Sequence, residues 1–571
     1  MPHQATPAAK PAPFPIATAL ISGLKTYSRH TLRADLTAGL VVSLIALPLA
    51  LALSIAVGLP PEHGLYTAIV AGVVGAVFGG SSTQVSGPTA AFVVIIAPIV
   101  SQYGLHGLIW CQIMAGIILL ALGFLRLGKF VNYVPYPVVT GFTAGIAVTI
   151  ATLALNDFFG LGLQTLEGHY IDKVKTIAAA MPHMKPADVF VGLVTLAGLI
   201  FTPKVAPKIP AAVAGITMGF ATAWILQQSG LMVDTLHARF TYTAVDGSIQ
   251  NGIPPYAPRL HMPGENSLFS IPGYAEFEKL MMPALVIAAL AALESLLSAT
   301  VADSMARTRH NPNAELNGIG LANIFSGLAA GIPATGAIAR TAANIQAGAQ
   351  TPMASIFHAL FLLLYVLTLA PYISHIPMAS LAALLLGVAW RMSHVPQCIM
   401  ILKLAPRSDS VVLLTCFLLT IFVDMVAGIA VGMVMASLLF MRRIAVLTDI
   451  SLHTQETDDS LPPHVLVYRI DGPLFFGSIG KTLESRIAAA PETIAPHSVD
   501  KKIVIDLTHV PMIDMTGMMA MTVFLNTLIR DGRSVVLCGK THVTEKILLK
   551  LRGSAAEGQV HSVHRLKEAY K

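Results

Sequence analysis

One carboxylate stands in the middle of a long apolar run: Glu294 is the only ionisable side chain between Met281 and Ala302. An ionised group at the centre of a membrane helix costs roughly 3 kcal/mol on insertion scales, and residues of this kind mark ion and substrate pathways. Glu294 therefore reads as a proton- or cation-coupling residue, the alternative being a structural carboxyl bonded to a neighbouring helix. Arg340 closes the stretch Gly331 to Arg340 (GIPATGAIAR), with no acidic residue close to it in sequence. It can supply fixed positive charge behind a binding site, snorkel to an aqueous interface, or pair with Glu294. Its place at the end of a run of Gly, Pro and small residues favours the first.

Two segments have a composition that suits neither a simple span nor a simple loop. Gln84 to Ala91 (QVSGPTAA) and Gly331 to Arg340 are short, rich in Gly, Pro and small polar residues, and lie in opposite halves of the chain. Each follows a similar lead-in, Phe78-Gly79-Gly80 and Phe325-Ser326-Gly327, which suggests an internal repeat with diverged sequence. Interrupted helices at matching places in two halves point to a substrate site. Unpaired N–H groups and the positive dipole end of a half-helix favour an anion there. Ordinary Pro/Gly kinks are the plainer reading, and the matched positions argue against it.

Other residues give weaker signals. His63 and His358 lack metal-ligand spacing, so they are expected to be satisfied or solvent-facing, and no metal or cofactor is expected. Gly480-Lys481-Thr482 resembles the end of a P-loop, but Phe475 stands where that motif needs glycine. Asp424, heading DMVAGIAVG, reads as a helix N-cap. No catalytic residue emerges, and the chain does not read as an enzyme.

The elements that must hold these groups are membrane helices. Hydrophobic residues make up 54% of the 571 residues, charged residues only 12%, and the mean hydropathy is +0.70. Soluble domains carry about 25% charged residues, so a soluble protein is excluded. Ala38 to Val57 and Met281 to Ala302 are each long enough to cross about 30 Å of hydrocarbon. About fourteen apolar segments lie between Leu36 and Met441, an even number that puts both termini on one side. The basic residues sit at the ends of these segments: Lys25, Arg29 and Arg33; Arg126 and Lys129; Lys204 and Lys208; Arg307 and Arg309; Arg391 and Lys403; Arg442 and Arg443. They fall in alternate connections, which are therefore cytoplasmic, and Asp157 to Pro186 and Gly230 to Glu278 fall outside. The net charge of +6 is scattered, not gathered into a stripe, so no nucleic-acid partner is expected. Cys111, Cys398, Cys416 and Cys538 form no pair with ligand spacing.

The expected organisation is a cytoplasmic leader over 1–30, a transmembrane domain over 31–445, a linker over 446–461 and a soluble α/β domain over 462–571. In the last, HVLVYRI, KKIVIDL and SVVLCG read as strands, and Thr516 to Arg530 and Thr544 to Leu551 as helices.

On LPPEHGLYTA (Leu59 to Ala68), QVSGPTAAF (Gln84 to Phe92), Glu294 and its span, NGIGLAN (Asn317 to Asn323) and Arg340-Thr341, the chain resembles the SulP sulfate permease and anion transporter family. Its C-terminal part resembles that family's STAS domain. PLALAL (Pro48 to Leu53) and DGPLFFG (Asp471 to Gly477) are most similar to the family's bacterial C4-dicarboxylate transporters. The resemblance implies seven-plus-seven inverted repeats, a core moving against a gate, a homodimer in the inner membrane, and acyl carrier protein as a partner of the STAS domain. It also implies a substrate site of Ser86, Gly87 and Thr89 on the third segment and Ala334, Thr335, Ala339 and Arg340 on the tenth. Glu294, on the eighth, lies alongside as the proton-coupling residue.

Many members carry glutamine after the first-span proline and an aromatic four residues later, where Leu49 and Leu53 stand here, so a sulfate preference does not carry over. Sodium-dependent bicarbonate relatives tend to have aspartate at the Glu294 position and no arginine at the Arg340 position, which implies protons as the coupling ion. Signalling relatives of the STAS domain carry a phosphorylated serine where Thr516 stands. The function expected is secondary active, proton-coupled uptake of C4-dicarboxylates such as succinate, fumarate or aspartate. Sulfate or bicarbonate transport, a passive anion channel and a membrane-tethered signalling scaffold are the alternatives.

Overall fold

The computed structural model describes residues 16–129, 134–163, 168–207, 209–244, 246–453, 461–462, 465–475, 502–530, 534–539, 542–551, 560–563 and 566–568. Gly480-Lys481-Thr482 lies outside them. The chain divides into two compact units, Met1–Met433 and Val434–Lys571.

The first unit is helical. Its first half comprises α1 (Thr18–Lys25), α2 (Arg29–Ala56), α3 (Pro61–Phe78), α4 (Val93–Phe124), α5 (Tyr136–Phe158), α6 (Tyr170–Ala180), α7 (Pro186–Val205) and α8 (Ala211–Gln228). A short α9 (Leu236–Arg239) and the hairpin of β2 (Thr241–Thr243) and β3 (Ile249–Asn251) follow. The second half comprises α10 (Tyr274–Ala306), α11 (Pro312–Leu328), α12 (Ile338–Gln346), α13 (Met353–Ile373), α14 (Met378–Met392), α15 (Val395–Leu404), α16 (Arg407–Phe422) and α17 (Met425–Val446). Among the described residues, nine helices are long and apolar enough to cross a membrane. Helix α4 consists of two arms: Gly104 takes φ 65° and ψ −168° in its middle, a conformation open to glycine and strained for other residues.

Local sequence sets the ends of these helices. Proline occupies the first turn of α3, α5, α7 and α11, where its missing N–H is not needed. Asn311 caps α11 by accepting from the Asn313 and Ala314 N–H groups at 3.1 and 3.2 Å. Asp424 accepts from the Ala427 N–H at 2.8 Å as the expected cap of α17.

Small residues then let backbones meet, the usual device where lipid offers no hydrophobic drive for helix association. A Cβ on Gly116 of α4 would stand 2.6 Å from the Gly320 carbonyl oxygen of α11, and one on Gly320 would stand 2.8 Å from that of Gly116. Gly318 of α11 lies as tightly against Gly79, at the end of α3. Helices α3, α4 and α11 thereby form one block.

The second unit carries a five-stranded sheet in the order β5 (Asp449–His453), β6 (Val465–Asp471), β7 (Lys502–Asp506), β8 (Val535–Cys538), β9 (Val560–Val563). β5 runs antiparallel to β6, and the remaining neighbours are parallel. Helices Met515–Arg530 and His542–Leu551 accompany it. Strands β6 to β8 and both helices lie where the alternation of the sequence puts them. β5 falls inside the stretch 446–461 expected to be a linker, which is thus corrected in its first half. Ile450 of β5 is 5% exposed and belongs to the same apolar cluster as Ile470, Ile505 and Leu525, so this strand completes the core.

Candidate functional site

The two Gly/Pro-rich segments meet. Ser86–Gly87 forms β1 and Thr335–Gly336 forms β4, a two-residue antiparallel pair in which Ser86 faces Gly336 and Gly87 faces Thr335. Each strand leads into a helix start, Ala90–Phe92 continuing into α4 on one side and α12 on the other. Neither start has a side-chain cap. Two half-helix N-termini without a side-chain cap among the described residues thus leave one small sheet, an arrangement that favours negative charge.

Buried polar side chains from the surrounding helices hold this sheet. Glu315 on α11 accepts from the Gly80 and Ser81 N–H groups, both at 2.9 Å, and from the Gln84 amide at 2.7 Å. Asn323, two turns further along α11, binds both main-chain atoms of Ala334: its amide nitrogen donates to the carbonyl at 2.8 Å and its oxygen accepts from the N–H at 2.9 Å. Thr67 on α3 does the same for Ile332, at 2.9 and 2.6 Å. On α10, Ser295 accepts from the Gly336 N–H at 3.0 Å and shares a hydrogen bond of 2.7 Å with Thr335. Thr341 accepts from the Val85 N–H at 3.1 Å. Main-chain groups that leave regular structure inside an apolar medium are tolerated only with such partners.

The charged groups flank the sheet. Glu294 is half-buried on α10 and accepts a hydrogen bond from the Thr89 hydroxyl at 2.9 Å. Arg340, in the first turn of α12, is 3% exposed and lies against Gly87, where an added Cβ would stand 2.5 Å from Nη1. Its Nη2 donates to the Pro88 carbonyl. Burial rules out snorkelling. Glu294 bonds Thr89 and Arg340 bonds Pro88, so the two charges are held by separate partners and not simply by each other. The guanidinium packs on β1 at Gly87.

The side chains expected to line the site divide into two groups. Thr89 and Glu294 are half-buried and Ala339 is exposed, so these reach the open side, together with Ile338, 44% exposed. Ser86, Gly87, Ala334, Thr335 and Arg340 are all buried. Ser86 turns its hydroxyl to Gly75 of α3, and Thr335 is engaged with Ser295 and the Ala291 carbonyl. Their hydroxyls belong to the scaffold, and their main chain forms the sheet. A cavity of about 460 Å³ is lined by Val94, Pro98, Val286, Thr420 and Asp424, and none of the expected site residues borders it.

Three polar residues of this site carry no sequence signal strong enough to single them out: Glu315, Asn323 and His358. Asn323 lies inside the NGIGLAN run, whose side-chain roles the sequence does not reveal. His63 is satisfied, with Nδ1 2.6 Å from the Ala330 carbonyl. His358 corrects the expectation for histidines: it is 0% exposed on α13, and neither ring nitrogen has a partner among the described residues. In the soluble unit Thr516 is exposed in the first turn of Met515–Arg530, next to Asp514, which caps that helix through the Gly517 N–H at 2.7 Å.

The chain matches the sulfate permease family over residues 32–416 and the STAS domain over residues 457–554. It is 37% identical over 502 residues to the putative sulfate transporter YvdB of Bacillus subtilis, covering 86% of this chain and 88% of that one. It is 28% identical to the bicarbonate transporter BicA of Synechocystis over 86% of this chain and 85% of the relative. The solved transmembrane domain of a cyanobacterial BicA superposes with a TM-score of 0.60 at 27% identity, covering 72% of this chain and 98% of that domain. The overall structure of SLC26A9 gives 0.80 at 18% identity over 96% and 91%, a likeness of fold. The chain belongs to the sulfate permease family of multi-pass membrane anion transporters and carries that family's C-terminal STAS domain.

Proposed function

We propose that this protein is a secondary active, proton-coupled transporter that takes up C4-dicarboxylates such as succinate, fumarate or aspartate. The observation that carries the reading is the placement of one carboxylate and one guanidinium on either side of two uncapped helix starts. Thr89 heads the first start and donates to Glu294, and Arg340 lies behind the strand that leads to it. An anion at the helix starts screens Arg340 and repels an ionised Glu294, so anion binding and proton uptake at Glu294 favour each other. By linkage the effect is reciprocal. A passive channel has no use for such a pair. Thr89, Ala339 and the main chain of β1 and β4 would contact the substrate, and Ser86, Gly87, Ala334 and Thr335 would shape that main chain. The same reading places the protein in the inner membrane as a homodimer with both termini in the cytoplasm. Its STAS domain would meet acyl carrier protein.

Sulfate or bicarbonate is the second reading of the substrate, supported by the names of the relatives. The experiment that separates the two is uptake of radiolabelled succinate into proteoliposomes, with and without an imposed pH gradient, challenged by unlabelled fumarate, aspartate, sulfate and bicarbonate. Accumulation that rises as the outside is acidified is expected, and for one proton per anion each pH unit supports about ten-fold accumulation. Glu294→Gln keeps the shape of the protonated carboxyl, so it should bind and exchange substrate without concentrating it. If Glu294→Gln still concentrates substrate in response to the gradient, Glu294 is not the coupling residue. If sulfate or bicarbonate alone is accumulated, the second reading replaces the first.

A further inference from the structure

We propose that His358 is a positioning residue that holds Arg340 through a buried water, an inference that rests on Arg340 acting as fixed charge for the anion. Arg340 spends Nη2 on the Pro88 carbonyl, and its Nη1, equally buried, has no partner among the described residues. His358, on α13, is 0% exposed with both ring nitrogens unpartnered. The two groups lie against the same strand. A Cβ on Gly72 of α3 would stand 3.7 Å from the Ser86 carbonyl oxygen and 3.9 Å from His358 Cδ2, and the guanidinium rests on the next residue, Gly87.

Buried polar atoms without a protein partner are normally satisfied by an ordered water. A water fits here because it accepts from Nη1–H and donates to the lone pair of a neutral imidazole nitrogen, which neither group can do for itself at a distance. The surroundings contain few competing charges. Helix α2 carries none between Asp35 and Ala56, α3 has Glu62 and His63 only in its first turn, and α10 contributes Glu294. On α13 itself the nearest titratable group is Tyr365, which bonds Ser43 at 3.1 Å. In this arrangement the imidazole serves to keep the guanidinium pressed on β1.

The test is equilibrium binding of radiolabelled succinate and, in parallel, sulfate to purified full-length protein. His358→Leu should weaken binding about three- to ten-fold, the effect of one hydrogen bond. His358→Gln, which offers an acceptor and a donor at similar reach, should restore it to within about two-fold. In an Arg340→Ala background His358→Leu should add nothing, because the group it positions is gone. Wild-type affinity in His358→Leu beside weakened Arg340→Ala overturns the proposal, as do additive effects of the two. Should Arg340→Ala bind normally, the role given to Arg340 fails. The positioning contact is then judged directly, by an experimental structure fine enough to show waters. Density within hydrogen-bonding distance of both Nη1 and a ring nitrogen is expected, and its absence overturns the proposal whatever the variants do, including a His358→Leu protein that does not fold.

Discussion

Substituting Gly87 by alanine tests whether Arg340 is clamped behind β1 or merely near it. The new methyl would stand 2.5 Å from Nη1 and 3.3 Å from both Cζ and Nη2. Ordinary contact needs about 3.5 Å, so the guanidinium must retreat by roughly 1 Å, and its bond to the Pro88 carbonyl is lost. A hydrogen bond from a charged group contributes about 1.5–3 kcal/mol when its partner stays buried. Stability should fall by that amount, read as a lower midpoint of thermal inactivation in detergent. Affinity should behave differently. With the anion roughly 7 Å from the guanidinium and an effective dielectric near 20, the attraction is about 2.4 kcal/mol, and moving the charge by about 1 Å changes it by only about 0.3 kcal/mol. That Coulomb change alone shifts the calorimetric Kd by less than about two-fold, and the lost seating of the guanidinium adds to it, so Gly87→Ala should weaken binding by about three- to ten-fold and Arg340→Ala by tens-fold. Arg340→Lys should lie between, since a lysine keeps the charge and loses the planar fork that engages Pro88. The backbone at Gly87, with φ 155°, adds strain to the alanine variant, so the control is Gly87→Ala combined with Arg340→Ala. If the stability loss is unchanged in that background, it came from the backbone and the clamp is refuted. An unchanged Kd in Arg340→Ala would refute the electrostatic reasoning altogether.

Asn323→Leu removes both partners of Ala334 at once, so two buried main-chain groups are left unpaired at about 1–3 kcal/mol each; the yield of monodisperse protein by size-exclusion chromatography should drop sharply, and Asn323→Gln should not restore it because the longer arm misplaces the amide. A soluble fragment beginning at Pro462 omits β5 and the buried Ile450; it should unfold at a lower urea concentration than one beginning at Leu447, and equal midpoints would show that β5 is dispensable. Reporter tags at residue 5 and at Lys571 should both read cytoplasm and one near Gly252 the outside, and a periplasmic C-terminus would overturn the segment count.

Much of this site is legible in the chain because breaking a membrane helix leaves a compositional mark. Gly, Pro and small polar residues at Gln84 to Ala91 and Gly331 to Arg340 announce the two interruptions, and a lone carboxylate inside Met281 to Ala302 announces Glu294. The strands of the soluble domain are equally plain, from HVLVYRI to SVVLCG. What is not legible is direction and long-range partnership. In a strand of two residues no alternation exists to say which side chain faces out, so the resemblance alone assigns Ser86 and Thr335 to the site, and it does not reveal that their hydroxyls point into the scaffold. Glu315 serves Gly80 and Ser81 from more than two hundred positions away, and nothing local distinguishes it from a helix-end carboxylate. β5 is short and separated from β6 by a polar stretch, so its pairing emerges only when Ile450 is seen in the core.

Because β1 and β4 grip each other through main-chain atoms, the cradle they form is nearly blind to mutation in the ordinary sense. Exchanging a side chain there disturbs the architecture without rewriting what the N–H groups read. On the proposed function, a lineage that changes its cargo must then do so at the few residues of the cradle that reach the opening, Thr89, Ile338 and Ala339. On that reading the socket is inherited through the main chain, and only its rim is open to replacement.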